Sequence, residues 1–194
     1  MESNKKYELT AETKVFFGKT LYRIRALVTF GDVPAGQLGG WVESEKNLSH
    51  SGNAWITGNA LVMDNALVTD NAWVMNNASV TDNAWIAGNA WIMDNASVTN
   101  NASVTGKAMV TGDARVSKST HLLCVGGIGS RNGFTTFARS KDKKIIVACG
   151  CFRGTIDEFV DRVKQVHGGT KHEKTYLAAV ELAKLQIDDV EVEE

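Results

Sequence analysis

The chain has 194 residues with 21 Lys and Arg against 22 Asp and Glu, which gives a formal net charge of −1 at pH 7. This balance argues against duplex nucleic acid or a membrane surface as partner, and no apolar stretch long enough to span a bilayer follows the polar start. Three irregularly spaced cysteines argue against a disulfide framework or a zinc site, so we expect a cytoplasmic protein in a reducing compartment.

The first segment predicts an N-terminal β cap over residues 1–40. The alternation from Lys14 to Leu27 indicates a hairpin that turns at Gly18 and Lys19. Such a hairpin is suited to cover the open end of a β-stack, where unpaired backbone groups would otherwise invite end-to-end growth.

A hexapeptide repeat occupies the middle of the chain and predicts a β-helix over residues 41–118. Alanine recurs every six residues, eleven times from Ala54 to Ala114, and Ile or Val stands two residues after each alanine. Because side chains alternate faces along a strand, both residues point inward, and Asn, Asp and Gly form the corners between strands. The repeat resembles the hexapeptide family of left-handed parallel β-helices. That resemblance implies a triangular coil of three six-residue sides, or 18 residues.

One outward side of this β-helix is expected to be apolar, because residues 18 positions apart should lie above one another. It comprises Trp55, Trp73, Trp91, Met75, Met93 and Met109, and we name it the Trp/Met side. An apolar patch of this size typically marks a contact surface. We expect a homo-oligomer, a dimer or a trimer, assembled through it. The alternatives are packing against the chain's own terminal segments and a platform on which a ligand stacks.

After the repeat, a small α+β domain is expected over residues 119–187. Strands and helices in the order βββαα are predicted over residues 121–128, 134–138, 145–149, 155–167 and 172–186. Thr155 opens the first helix with a capping box. The last residues, 188–194, carry five acidic side chains and no basic one, and are expected to form a solvated acidic tail. The whole chain is thus predicted to be mainly β.

Two glycine-bracketed loops in this domain each contain an arginine, and they suggest a site for an anion. The second loop leads into a helix N-terminus, where free N–H groups and the helix dipole favour negative charge. The candidate ligand-binding residues are Ser130, Arg131, Asn132, Arg153, Thr155, Lys171 and His172. The alternative is that the loops are an ordinary turn and an ordinary helix cap with exposed arginines.

Catalytic residues are not indicated by the sequence. Acyltransferases built on a left-handed β-helix typically use a His on the coil sides as general base, but no His occurs between Asn53 and Lys118. No Ser-His-Asp or Cys-His spacing stands out. We therefore expect no enzyme, no cofactor and no metal, and an acyltransferase relative is the third alternative.

Segments outside the repeat resemble a family of phage- and prophage-encoded hexapeptide-repeat proteins. They are residues 6–10, 21–27 and 39–48, together with residues 129–133, 150–154 and His167, which resemble a domain attached to assorted phage proteins. The resemblance implies an accessory role inside a bacterial host cell. The leading hypothesis is a non-enzymatic counter-defence protein that sequesters a bacterial immune signal, expected to be a nucleotide, or masks a host defence protein. The alternative is a structural scaffold assembled through the Trp/Met side.

Overall fold

The N-terminal segment is a β-hairpin joined to one end of a β-solenoid. In the computed structural model, which describes residues 5–190, strands β1 (Tyr7–Phe16) and β2 (Lys19–Ala26) pair antiparallel. The predicted hairpin is therefore present, but its turn lies at Phe17 and Gly18, one residue before the predicted position, and both residues have positive φ. Glycine adopts this left-handed conformation without a steric penalty, which explains the sharp bend.

Eleven two-residue strands, β4 to β14, form the body of the solenoid after strand β3 (Leu38–Val42). They are, in chain order, Trp55–Ile56, Leu61–Val62, Leu67–Val68, Trp73–Val74, Ser79–Val80, Trp85–Ile86, Trp91–Ile92, Ser97–Val98, Ser103–Val104, Met109–Val110 and Arg115–Val116. On each side a strand pairs in parallel with the strand three places further along the chain, as in the order β4, β7, β10 and β13. The chain is thus mainly β, with parallel coils stacked into a solenoid of about four turns.

The solenoid interior is filled by the two inward residues of each hexapeptide. The eleven alanines from Ala54 to Ala114 expose at most 1% of their surface, and the eleven Ile or Val residues that follow them are fully buried. Burial of a Val or Ile side chain stabilises a fold by about 1.5–3 kcal/mol. The small residue beside each bulky one lets neighbouring sides approach, so the alternation determines both the shape and most of the stability of the stack.

The corners between strands are stabilised by polar side chains that repeat along the stack. Six of them have an Asp or Asn in the left-handed conformation, namely Asp64, Asp70, Asn76, Asp82, Asp94 and Asn100. Asn59 donates a hydrogen bond to Asn77 over 3.3 Å, and Asn77 donates one to Asn95 over 3.4 Å. These ladders satisfy polar groups at each bend and explain why Asn precedes nearly every alanine of the repeat.

The hairpin closes the N-terminal end of the solenoid with polar groups. Lys6 is only 4% exposed and donates from Nζ to the carbonyl oxygen of Ala54 over 2.9 Å. The Tyr7 hydroxyl lies 2.8 Å from the carbonyl oxygens of both Glu45 and Leu48. The predicted cap therefore covers this end by matching donors to backbone acceptors.

Lys6 should make stability depend on pH in a defined direction. Burial lowers the pKa of Lys6 from 10.5 to about 8. Between these values the unfolded chain binds a proton that the folded chain has released, so the contribution of Lys6 to the free energy of unfolding rises with pH. We expect the difference in this free energy, wild type minus Lys6→Met, to increase from about pH 7.5 to about pH 10 in urea titrations. A difference that stays constant or falls over this pH range would contradict the lowered pKa of Lys6.

The C-terminal part contains four strands and two helices. They are β15 (Leu122–Ile128), β16 (Gly133–Arg139), β17 (Ile145–Cys149), β18 (Phe152–Thr155), α1 (Ile156–His167) and α2 (Lys171–Gln186). The prediction of three strands was incomplete, because the glycine-rich segment read as a loop pairs antiparallel with β17 as strand β18. Both helices pack on one face of the sheet through Phe159, Val163 and Tyr176. Neither helix in residues 5–190 has the length and hydropathy required to span a bilayer.

Strand β16 and the turn after it close the second end of the solenoid. The backbone N–H of Met109 donates to Thr136 Oγ1 over 3.0 Å, and the N–H of Lys141 donates to the carbonyl oxygen of Asp113 over 2.9 Å. Because these groups belong to the last turn of the stack, the C-terminal sheet acts as the opposite cap.

Asp189, after α2, is held against the protein by specific contacts, whereas a free solvated tail was predicted to begin at residue 188. The Asp189 carboxylate accepts from Lys118 Nζ over 2.8 Å and lies 3.2 Å from His121 Nε2. Arg139 Nε donates to the Asp189 carbonyl oxygen over 2.9 Å. The Asp189 carboxylate thus has basic partners that the sequence pattern did not reveal. The remaining residues of the predicted tail, 191–194, lie outside the described residues.

Candidate functional site

The two ends of the Trp/Met side are covered by the chain's own terminal segments. Trp55 was expected on the assembly surface but is fully buried, because the loop after the hairpin folds over it and places the Phe30 ring 5.4 Å from the indole. Met109 at the other end contacts the guanidinium of Arg153. Self-packing, the alternative considered for this side, therefore accounts for both ends.

The middle of the Trp/Met side is only partly covered by residues 5–190. Trp91 is 43% exposed and pairs directly with the half-buried Trp73, and Met75 and Met93 beside them are also half-buried. Two Trp and two Met thus form one apolar patch between the two caps. Such a patch is suited to contact a second protein surface or a flat ligand.

The residues predicted for an anion site fall into two groups on opposite faces of the C-terminal sheet. Phe152 and Arg153 are neighbours in strand β18, so their side chains point to opposite faces. Phe152 packs against the helices, whereas Arg153 reaches the solenoid at Met109. Arg131 lies on the helix side, close to Tyr176. The structure therefore separates Arg153 and Thr155 from the other candidates.

Tyr176 of helix α2 is the centre of the group on the helix side. Its ring centroid lies 5.6 Å from that of His167, which in turn lies 5.8 Å from that of His172. Burial, and next the neighbouring Cys149, raises the pKa of Tyr176 to about 12, while Arg131 acts in the opposite direction. Tyr176 therefore keeps its proton near neutral pH and can donate it in a hydrogen bond.

The polar side chains around Tyr176 have donors without acceptors in the part of the chain that the structure describes. The side chains of Arg131, His167 and His172 make no hydrogen bond or ion pair with residues 5–190, whereas the backbone carbonyl oxygen of His167 accepts from Thr170. The nearest carboxylate along the chain, that of Glu173, accepts from the N–H of Gly169 over 2.8 Å and serves the turn between the helices. An anion is the ligand that satisfies such a set of converging donors.

The turn between β15 and β16 brings Arg131 to this cluster through a close backbone approach. Gly129 has φ +75°, and a Cβ placed on it would lie 1.8 Å from the Tyr176 hydroxyl oxygen. Asn132 also has positive φ, and its N–H donates to the Gly129 carbonyl oxygen over 3.3 Å. Asn132 thus shapes the turn, while the side chains of Ser130 and Arg131 are exposed on it.

Arg153 and Thr155, the second group, line a cleft of about 400 Å³ between the last solenoid turn and the C-terminal sheet. Thr155 Oγ1 accepts from the N–H of Glu158 over 3.2 Å, and the Thr155 N–H donates to Glu158 Oε2 over 2.7 Å. This is the predicted capping box. It also corrects the prediction that the helix N-terminus binds an external anion, because the Glu158 carboxylate already occupies that place.

A Ser-His-Asp arrangement, which the sequence spacing did not reveal, occurs where the chain leaves the solenoid. Ser117 Oγ lies 3.3 Å from His121 Nδ1, and His121 Nε2 lies 3.2 Å from Asp189. However, the Ser117 N–H also points at Nδ1 over 3.3 Å, and His121 is only 2% exposed. These contacts fix the ring in place, and we interpret the arrangement as the attachment of the chain end.

Two residues of the Tyr176 cluster were not among the predicted site residues. The sequence pattern predicts His167 at a helix end and Tyr176 in the core. A signal for both exists in the spacing: His167 and His172 flank a tight turn, and Tyr176 follows His172 by one helical turn. Lys171 begins helix α2 with an exposed side chain, next to His172.

Comparisons with known proteins gave no match: neither the scan against protein-family models nor the search of curated proteins found a similar chain.

Proposed function

We propose that the protein is a non-enzymatic binding protein that captures a small anionic ligand of the nucleotide class at Arg131, His167, His172 and Tyr176. The observation that carries this proposal is that the side chains of Arg131, His167 and His172 lie around Tyr176 and make no hydrogen bond or ion pair with residues 5–190. A guanidinium binds phosphate oxygens in pairs, and histidine and tyrosine rings offer faces on which a base stacks. Residues 119–187 carry 11 basic and 6 acidic side chains, which favours an anion further.

We propose further that the scaffold is a left-handed β-helix with 18 residues per coil. The strand register supports this, since Trp55 pairs with Trp73 and Trp73 pairs with Trp91, each 18 positions further along the chain. A rigid stack with both ends closed holds the C-terminal sheet in place. The binding residues are therefore presented by a preformed frame, which lowers the entropic cost of binding.

The proposed biological role is counter-defence inside a bacterial cell, where the protein sequesters a nucleotide immune signal and releases it unchanged. The phage-type resemblance of the segments outside the repeat supports this role, as does a site composed of donors and rings. Masking of a host defence protein is the alternative form of the same role, and it would use the uncovered patch of Trp73 and Trp91.

Equilibrium dialysis with a panel of cyclic and linear mono- and dinucleotides tests the proposal. We expect one nucleotide to bind and to be recovered intact. Arg131→Gln should weaken its binding by roughly 10–100-fold, since a charged hydrogen bond contributes about 1.5–3 kcal/mol. Arg153→Gln, on the opposite face of the sheet, is the matched control and should bind as the wild type does. Equal affinity in the wild type and Arg131→Gln, or turnover of the nucleotide, would contradict the proposal.

A second candidate function, a homo-oligomeric scaffold, is favoured by the uncovered Trp/Met patch. Flat sides of a solenoid can pair with one another, and Trp and Met are enriched in the core of protein interfaces. This assembly is compatible with ligand capture, because the patch lies on the solenoid and the Tyr176 cluster on the C-terminal domain.

Trp91→Lys should convert the oligomer to a monomer, measured as molar mass by light scattering after size-exclusion chromatography. The introduced ammonium would have to be buried without a partner at the interface, which costs several kcal/mol. Trp85→Lys is the control, because Trp85 is similarly exposed, at 48%, but lies on another side of the solenoid. A wild-type monomer, or the same mass for all three proteins, would exclude assembly through this patch.

A further inference from the structure

The cleft that contains Arg153 carries chemical groups that the Tyr176 cluster does not use. Its volume of about 400 Å³ falls within the range of small-molecule sites, about 300–1,000 Å³. One wall is the last solenoid turn and the other is the C-terminal sheet. The hydrogen bonds from Met109 N to Thr136 and from Lys141 N to Asp113 join these walls. The cleft is therefore formed before any ligand arrives.

The floor of the cleft is apolar and comes from both walls. Met109 lies on the solenoid side, and Ile146 and Ala148 lie on strand β17. Met109 and Ile146 are only half-buried, so each retains apolar surface towards the cleft. Covering this surface with an apolar group would release water from it, which favours binding by about 25 cal/mol per Å².

Arg153 is held in one orientation by the backbone but has no carboxylate partner among residues 5–190. Its Nη1 donates to the carbonyl oxygen of Gly150 over 2.8 Å, and its Nη2 meets the sulfur of Met109. A thioether is a weak acceptor, so the donors on this edge of the guanidinium are poorly used. A ligand carboxylate is the group that two parallel guanidinium donors bind best.

Asp94 places a negative charge beside Arg153 without forming an ion pair with it. Its carboxylate accepts from the hydroxyl of Thr111, from the N–H of Gly112 over 3.2 Å and from the side-chain amide of Asn76 over 3.0 Å. The hydrogen bond from Thr111 lowers the pKa of Asp94, and Arg153 is close enough to contribute. The carboxylate of Asp142 lines the same cleft. Opposite charges thus line one cleft, each oriented by other partners.

We infer that this cleft binds a free α-amino acid with an apolar side chain. The α-carboxylate pairs with Arg153, the α-ammonium lies at Asp94, and the side chain covers Met109 and Ile146. An α-amino acid carries both charges on one carbon, which matches an arginine and an aspartate that line the same cleft but are not bonded to each other. Burying the two charges together also avoids leaving either one unpaired.

Titration calorimetry with L-methionine tests this inference, with N-acetyl-L-methionine and L-methionine amide as analogues that each lack one charge. We expect L-methionine to bind and each analogue to bind at least about 10-fold more weakly. Arg153→Gln should weaken L-methionine binding by about 10–100-fold. Arg131→Gln should bind L-methionine as the wild type does. A loss of amino-acid binding at the cleft can therefore be distinguished from a loss of nucleotide binding at the Tyr176 cluster.

A second variant tests the inference without removing a charge. Ile146→Trp fills the floor of the cleft and should abolish L-methionine binding, with the fold of each variant checked by circular dichroism. The inference is overturned if the blocked analogues bind as well as L-methionine, or if Arg153→Gln or Ile146→Trp retains wild-type affinity. It is equally overturned if L-methionine, L-leucine and L-phenylalanine all show no binding at about 10 mM.

Discussion

Replacing Ile86 by Ala lowers the free energy of unfolding by about 3 kcal/mol, whereas replacing its larger neighbour Trp85 by Ala changes it by less than about 0.5 kcal/mol. Ile86 is one of the eleven inward Ile or Val residues and is fully buried, while Trp85 is exposed on the outer side of the same strand. Removing three buried carbons leaves a cavity in a rigid stack that cannot collapse. About half of the outer indole is already in contact with water, and its removal leaves no enclosed cavity.

Urea denaturation monitored by circular dichroism provides this comparison, with Ser79→Ala as a further outward control on a different side. The wild type, Ser79→Ala and Trp85→Ala are expected to have similar free energies of unfolding, and that of Ile86→Ala is expected to be well below them. A larger loss for Trp85→Ala than for Ile86→Ala would mean that the inward and outward faces of the hexapeptide have been assigned the wrong way round.

Gly129→Ala should destabilise the C-terminal domain by about 2–3 kcal/mol and also abolish ligand capture at the Tyr176 cluster. The new methyl group would require a left-handed conformation for alanine, and its Cβ would lie 1.8 Å from the Tyr176 hydroxyl oxygen. Either the turn or Tyr176 must move, and each movement separates Arg131 from the two histidines.

Gly133→Ala is the matched control, because it ends the same turn, has no positive φ, and would place its Cβ with no heavy atom within 4 Å. Thermal unfolding and nucleotide binding should both be close to wild type in this variant. Wild-type stability and binding in Gly129→Ala would show that Tyr176 does not pack against the turn as described.

The regular part of the fold was predictable because its physics is local. The period of six and the alternation of inward and outward residues determine which side chains of residues 54–116 fill the solenoid interior, and the Asn and Asp corners follow from backbone conformation. Strand β18 was not predicted because its pairing with β17 depends on tertiary structure. Gly150 and Gly154 are, in addition, residues typical of a loop.

The candidate site was only partly predictable, because its residues meet across elements that lie far apart in the chain. Arg131 and His172 could be selected as basic residues in loops, but their common neighbour Tyr176 has a helical spacing typical of core positions. Arg153 lies one residue from Phe152, and strand alternation sends it to the other face of the sheet. Trp55 resembles Trp73 and Trp91 in sequence, and only the fold of the N-terminal loop distinguishes it.

Native mass spectrometry of the protein purified from phage-infected bacterial cells tests the central claim of ligand capture most directly. It reports the number of subunits and the mass of any bound molecule in one measurement. The wild type should carry an intact anionic ligand that appears unchanged after denaturation, Arg153→Gln should carry the same ligand, and Arg131→Gln should not. A wild type without any bound anion, or Arg131→Gln with the ligand at wild-type occupancy, would contradict capture at the Tyr176 cluster.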